Sequence, residues 1–162
     1  VSSEEDESSI ETIKEFYEKW FDVDFFLKTY AVNILCGMDD DYWGNSNNYY
    51  LYFDTGSAKA TGKVYFIPFD YDNTLGCSIK DGGFKNNPLD WGRGENKPLI
   101  DNLLKVPEYK AKFVNYLKEV CGSSSYWTYN RCSNQFLSWK NMVESYLASS
   151  DNDIKSTLFF LK

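Results

Sequence analysis

Apolar residues recur at helical spacing towards both ends of the chain and switch to strand-like aromatic runs in between. Ile10, Ile13, Tyr17 and Trp20 fall on one helical stripe, and Ser8 with Glu11 has capping-box spacing. A second helix is predicted to start near Asp22 or Asp24. It is apolar almost all round (Phe25, Phe26, Leu27, Tyr30, Val32, Ile34, Leu35), which implies central burial, and Gly37 supplies its stop signal. Tyr49–Phe53 and Val64–Ile67 are rich in β-favouring aromatics and read as the two strands of a hairpin. The loop between them, residues 54–62, is longer than a tight turn, and Pro68 ends the pairing of the second strand.

The pattern then loosens. Residues 77–97 hold four glycines, and prolines stand at 88 and 98, so a long irregular loop is expected, of a length that tends to be functional or mobile. Pro98 opens another helix at the first-turn position where proline is tolerated, with Leu99, Ile100, Leu103 and Leu104 facing inward. Pro107 begins a further helix through Tyr109, Phe113, Tyr116, Leu117 and Val120. Another is expected from about Asn134, with a short last helix holding Ile154, Leu158 and Leu161. The fold class is therefore α+β, mostly α-helical. A flexible acidic segment, residues 1–7, is expected to precede a single domain over residues 8–162.

Composition narrows the function classes. With 19% aromatic and 43% hydrophobic residues, 162 residues can bury a substantial core. A net charge of −7 argues against nucleic acid or an anionic membrane as a general partner, and no apolar run reaches membrane-spanning length. No signal peptide is present, and Val1 is not a start methionine, so a mature or shortened chain is expected, with any targeting signal outside it. Four cysteines (Cys36, Cys77, Cys121, Cys132) and no histidine make zinc improbable. Two disulfides in an extracellular setting are favoured over four buried thiols. Three pairings into two disulfides are open and the sequence does not choose among them; Cys121 and Cys132 flank the segment 122–131, which allows a local bridge.

The chemistry gathers in two acid-rich clusters joined by the hairpin: Asp40-Asp41-Tyr42-Trp43-Gly44-Asn45-Ser46-Asn47-Asn48 and Asp70-Tyr71-Asp72-Asn73-Thr74-Leu75-Gly76. A hairpin brings both to one end, where carboxylates and amides make a hard-cation site. Asp40 and Asn45 stand in D-x4-N spacing on a loop between a buried helix and a strand. In phosphoryl transfer of the protein-kinase type, such a loop supplies an Asp for the acceptor hydroxyl and an Asn for magnesium. A second Asp, after the next hairpin, holds magnesium against the nucleotide phosphates. Asp70 or Asp72 fits that second role. Taken singly, either cluster reads more readily as a solvated turn or a structural calcium loop; their connection by a hairpin reverses the balance.

Gly44–Tyr52, then Ile67-Pro68-Phe69-Asp70-Tyr71-Asp72-Asn73-Thr74-Leu75-Gly76, and then Pro98–Tyr109 resemble, in order, segments of the CotH family of spore-coat-type proteins. The likeness runs over roughly residues 24–120. It implies an atypical protein-kinase-like fold that uses ATP and a divalent cation, Mg2+ or Mn2+, to phosphorylate Ser or Thr of a protein substrate. By position it implies Asp40 as the catalytic aspartate, Asn45 or Asn48 as a metal ligand, and Asp70 as the metal-binding aspartate, with Asp72 as second candidate. Nothing before Asp40 supplies a Gly-rich cover or a phosphate-pairing lysine, so the chain resembles only the carboxy-terminal lobe. The partner this implies is the amino-terminal lobe of the same protein, without which little kinase activity is expected. The resemblance places the protein outside the cell or on a cell or spore surface.

Two other classes compete. Trp43, Trp91, Trp127 and Tyr126 fall in predicted loops and could form a polysaccharide-binding surface, although most aromatics are expected to fill the core. Trp91 is either a substrate platform or a plug against the helical base, the plug being favoured. The alternative to catalysis is a non-catalytic surface or coat protein.

Overall fold

The computed structural model describes residues 2–76, 87–91 and 97–147. It is mostly helical with one two-stranded antiparallel sheet, in the order α1 (Ser2–Trp20), α2 (Val23–Leu35), β1 (Tyr49–Phe53), β2 (Val64–Pro68), a 3-10 turn (Tyr71–Asn73), α3 (Pro98–Lys105), α4 (Pro107–Cys121) and α5 (Tyr129–Leu147). The chain divides into two compact units, residues 1–119 and 120–162.

Helix α2 is the centre of the first unit. Asp22 caps it by accepting from Phe25 N at 2.9 Å, and it ends at Cys36 before Gly37, whose φ of 66° lies in the left-handed region that glycine tolerates. Phe26, Leu27, Tyr30 and Ala31 are fully enclosed, as an all-round apolar helix should be. Tyr30 stacks on Phe113 of α4 with ring centroids 4.7 Å apart, and Trp43 meets it edge-on at 4.9 Å. Phe66 of β2, Ile100 and Leu103 of α3 and Tyr109 of α4 close the same core.

The hairpin pairs Tyr49 with Pro68 and Phe53 with Val64. Val64 and Phe66 are buried, and Tyr50 and Tyr52 stand exposed on the other face of the sheet, while Phe53, opposite Val64, is exposed at the loop end of the hairpin. In the connecting loop, Asp54 accepts from Thr61 N at 2.7 Å and from Thr61 Oγ1 at 2.9 Å, so its carboxylate closes a turn too long for a tight hairpin.

Several boundaries differ from expectation. Helix α1 already runs from Ser2 and does not wait for the Ser8 cap. Trp20, expected on the buried stripe, is exposed, since α1 ends there and the chain turns into Phe21. In the second unit α5 begins at Tyr129, ahead of Asn134. There the guanidinium of Arg131 donates to the carbonyl of Ser125 at 3.0 Å, tying the preceding turn to the first turn of the helix. The two favoured disulfides do not form, and neither does the local Cys121–Cys132 bridge that the spacing allowed: Cys36, Cys121 and Cys132 are all in the thiol form. Cys121 is an exposed thiol at the last residue of α4, and Cys132 is a free thiol inside α5, where each follows the geometry of its own helix. The short helix expected around Ile154, most of the 77–97 loop and Cys77 lie outside the described residues.

Candidate functional site

The two acid-rich clusters meet at the end of the hairpin. Phe69 N donates to Asn48 O at 3.0 Å, just beyond the Tyr49–Pro68 pair, so the ladder places Asn48 of the first loop beside the residue that precedes Asp70. The second loop is fastened to the end of α2 as well: Leu75 N donates to Cys36 O at 2.7 Å.

In the first loop two successive aspartates have different fates. Asp40 is half-buried, and two amides hold its carboxylate. Asn45 Nδ2 donates to Asp40 Oδ1 at 2.7 Å, and Asn48 Nδ2 donates to Asp40 Oδ2 at 3.2 Å and to Asp40 O at 2.8 Å. Asp41 is fully enclosed. Its Oδ2 accepts from Asn33 Nδ2 at 2.6 Å and its Oδ1 from the backbone N–H of Tyr42. Burial pushes its carboxyl up from 3.8 to about 6, against the pull of those two donors, and the neighbouring Asp40 charge adds to the rise.

The turn that follows requires its glycine. A Cβ on Gly44 would lie 1.7 Å from the Asp39 carbonyl oxygen, so no side chain fits while Asn45 N bonds Asp41 O at 2.8 Å. Trp43 goes inward, its Nε1 donating to Met38 O at 2.9 Å. It is therefore core, not the loop platform that its neighbours in sequence predicted. Trp91 packs half-buried against the same core, and its carbonyl accepts from Tyr30 Oη at 2.6 Å, which makes it a plug. Of the four proposed platform residues, only Tyr126 and Trp127 stand exposed.

In the second loop Asp70 sits at φ 60° ahead of the 3-10 turn, and Asp72 Oδ1 accepts from Asn73 Nδ2 at 3.0 Å. Tyr71 turns back, its hydroxyl donating to Asn33 Oδ1 at 2.8 Å. Burial raises the Tyr71 phenol to about 12, so it stays a donor across the physiological range. Thr74 Oγ1 closes the turn on Tyr71 O at 2.7 Å. Among the described residues every non-glycine residue with positive φ lies in these two loops: Ser46, Asn48, Asp70 and Leu75. Local strain of this kind gathers where the surrounding structure over-determines a loop.

Among the described residues, no three His, Cys, Asp or Glu side chains converge as a metal-binding group. The donor chemistry of a smaller set is nonetheless suitable. Asn45 and Asn48 donate through Nδ2 to Asp40, and amide oxygens such as theirs are of the kind that a hard cation takes. Among the described residues, the rim of the first loop carries a cation that the sequence pattern missed. Lys97 hydrogen-bonds Ser46 Oγ and lies 5.6 Å above the Tyr42 ring, and burial lowers its pKa. Asn33, Asp41 and Tyr71 were missed too. The one available signal was a lone Asn on the inward side of an apolar helix.

Among the described residues, a mostly helical α+β arrangement whose hairpin joins two acid-rich loops is the class that this geometry defines. A family model described as CotH kinase protein matches residues 3–158, and the chain belongs to the CotH family. It is 29% identical over 129 residues to Spore coat protein homolog 1 of Rhizopus delemar, covering 74% of this chain and 20% of that protein. It is 31% identical over 111 residues to Invasin CotH3 of the same organism, covering 64% of this chain and 18% of that protein. The chain thus spans about a fifth of the length of these relatives. No solved structure matches it.

Proposed function

We propose that residues 1–162 form the larger lobe of a protein-kinase-like CotH domain that transfers phosphate from ATP to Ser or Thr of a protein. The observation that carries this reading is the convergence of Asp40, Asn48 and the Asp70 loop at one end of the hairpin, through the Phe69–Asn48 backbone bond. Asp40 is the acceptor-orienting residue. Its carboxylate is half-open to solvent and held in place by two amides, as a group that receives a hydroxyl proton needs to be.

Asp70 and the amide oxygen of Asn48 or Asn45 would hold the cation, with Asp72 as the alternative carboxylate. A bound magnesium or manganese ion would neutralise charge on the transferring phosphates. Lys97, a cation with a neutral hydrogen-bond partner on the rim of the Asp40 loop, favours an anionic group at the same edge. The names of the relatives, a spore coat protein homolog and invasins, support a surface or coat location.

The test uses the chain alone and any longer protein that carries it, incubated with ATP, magnesium or manganese and a Ser-rich acceptor. The chain alone is expected to transfer little, and the longer protein to transfer readily. Asp40→Asn and Asp70→Asn should each cost the longer protein roughly 100-fold or more. Transfer that survives both substitutions overturns the assignment. Surface adhesion that ignores both would favour the non-catalytic reading that the invasin names support.

A further inference from the structure

The acceptor loop and the metal loop share a second connection, independent of the hairpin, that runs from the half-exposed Tyr71 to two fully buried side chains. Tyr71, from the second loop, donates to Asn33 Oδ1 at 2.8 Å. Asn33 Nδ2 donates to Asp41 Oδ2 at 2.6 Å, and the other Asp41 oxygen accepts from the N–H of Tyr42. Asn33 and Asp41 are both fully buried, and among the described residues no buried side-chain donor or acceptor is left without a partner. A buried amide has two faces, and here each is taken by a different loop. Breaking either contact leaves a buried polar atom unpaired, so neither loop can shift without cost to the other.

We infer that Asn33, Asp41 and Tyr71 form a positioning network that fixes the loop bearing Asp40 against the loop bearing Asp70. Asp41, one residue from Asp40 in sequence, is the anchor of the acceptor loop and not a reacting group, since it is enclosed. Tyr71, flanked by Asp70 and Asp72, is the anchor of the metal loop. Its backbone carbonyl is itself held by Thr74, so its hydroxyl transmits the placement of the whole turn. Asn33 stands on the rigid central helix and serves as the common reference. The catalytic meaning of this network rests on the phosphoryl-transfer reading, but its mechanical content does not.

The experiment is amide hydrogen exchange on the 162-residue chain, read by mass spectrometry for residues 40–48 and 70–76, with thermal melts on each variant. Tyr71→Phe keeps the ring and removes only the hydroxyl. It should speed exchange over residues 40–48 about tenfold, although the substitution lies in the other loop, with little change elsewhere. Asn33→Asp sets two carboxylates against each other and should loosen both segments. The pair N33D/D41N reverses donor and acceptor while keeping all three hydrogen bonds, because the carboxylate at position 33 can accept from both neighbours. It should restore slow exchange.

Unchanged exchange over residues 40–48 in Tyr71→Phe overturns the inference. So does a folded N33D/D41N chain that exchanges as fast as N33D. Phosphate transfer by the longer protein is followed in parallel. Absence of transfer in the unsubstituted protein counts against the catalytic reading, while the exchange result still decides whether the network couples the loops.

Discussion

The Tyr71 hydroxyl lies 2.8 Å from Asn33 Oδ1, which joins the second acidic loop to the buried helix that leads into the first. The neighbours Asp40 and Asp41 are thereby sorted by the interior and not by their order in the chain. Asp41 is turned in to complete the network, and Asp40 is left at the opening between the two loops.

Enclosure of Asp41 has a consequence for stability against pH. Its carboxyl is raised from 3.8 to about 6 by burial, so between those values the folded chain holds a proton that the unfolded chain has lost. The stability it contributes is fully present below about 4 and is lost as pH rises through about 6. Asp41→Asn, which cannot ionise, should flatten the pH dependence of the melting temperature across this window. Melts at half-unit steps from pH 4 to pH 7 measure it, and an unaltered slope in the variant would refute the assignment.

Gly44 is required by a close approach of backbone to backbone. Its missing Cβ would fall 1.7 Å from the Asp39 carbonyl oxygen, and no rotamer change can relieve a clash with main chain. Gly44→Ala should destabilise the chain by about 3 kcal/mol or more and displace the Asp40 loop. A denaturant titration reads the loss, and a midpoint equal to that of the parent would show that the loop reshapes freely.

Leu75 is held at φ 54° while its N–H bonds Cys36 O. A leucine side chain is strained there and a glycine is not. Comparing Leu75→Gly with Leu75→Ala removes the same side-chain contacts in both variants and isolates the backbone term. The glycine variant should be the more stable by about 1 kcal/mol, less the cost of its greater freedom when unfolded. The reverse order would mean that the turn relaxes out of the left-handed region.

Cys121 and Cys132 are free thiols, one exposed and one half-buried. A thiol reagent added to the folded chain without reductant should modify both, Cys121 first. Cys121→Ser should leave the melting temperature within a few degrees of the parent. A large drop, or protection of both sulfurs, would restore the local disulfide that the spacing allowed.

Much of the fold was legible because its signals are local. An all-round apolar run marked α2, β-favouring aromatics marked the two strands, and helical spacing marked α3 and α4, while Asp22, Gly37, Pro98 and Pro107 stand at the element boundaries where capping, left-handed and proline chemistry requires them. The hairpin order alone implied that Asp40 and Asp70 leave its same end. Family resemblance then attached a chemistry to residues already singled out by spacing.

Burial and pairing are not local, and they escaped the pattern. Trp43 and Trp127 look alike in sequence, yet one is enclosed against Tyr30 and the other is exposed. Asn33 is a single polar letter in an apolar helix until Tyr71, 38 residues later, arrives on one side of it and Asp41 on the other. Element identity follows from the chemistry of neighbouring residues, so the chain alone could specify helices, strands and their order. Which aspartate is sealed, and which stays open beside the amides, depends on which distant groups reach it, and those meet only when the core around α2 closes.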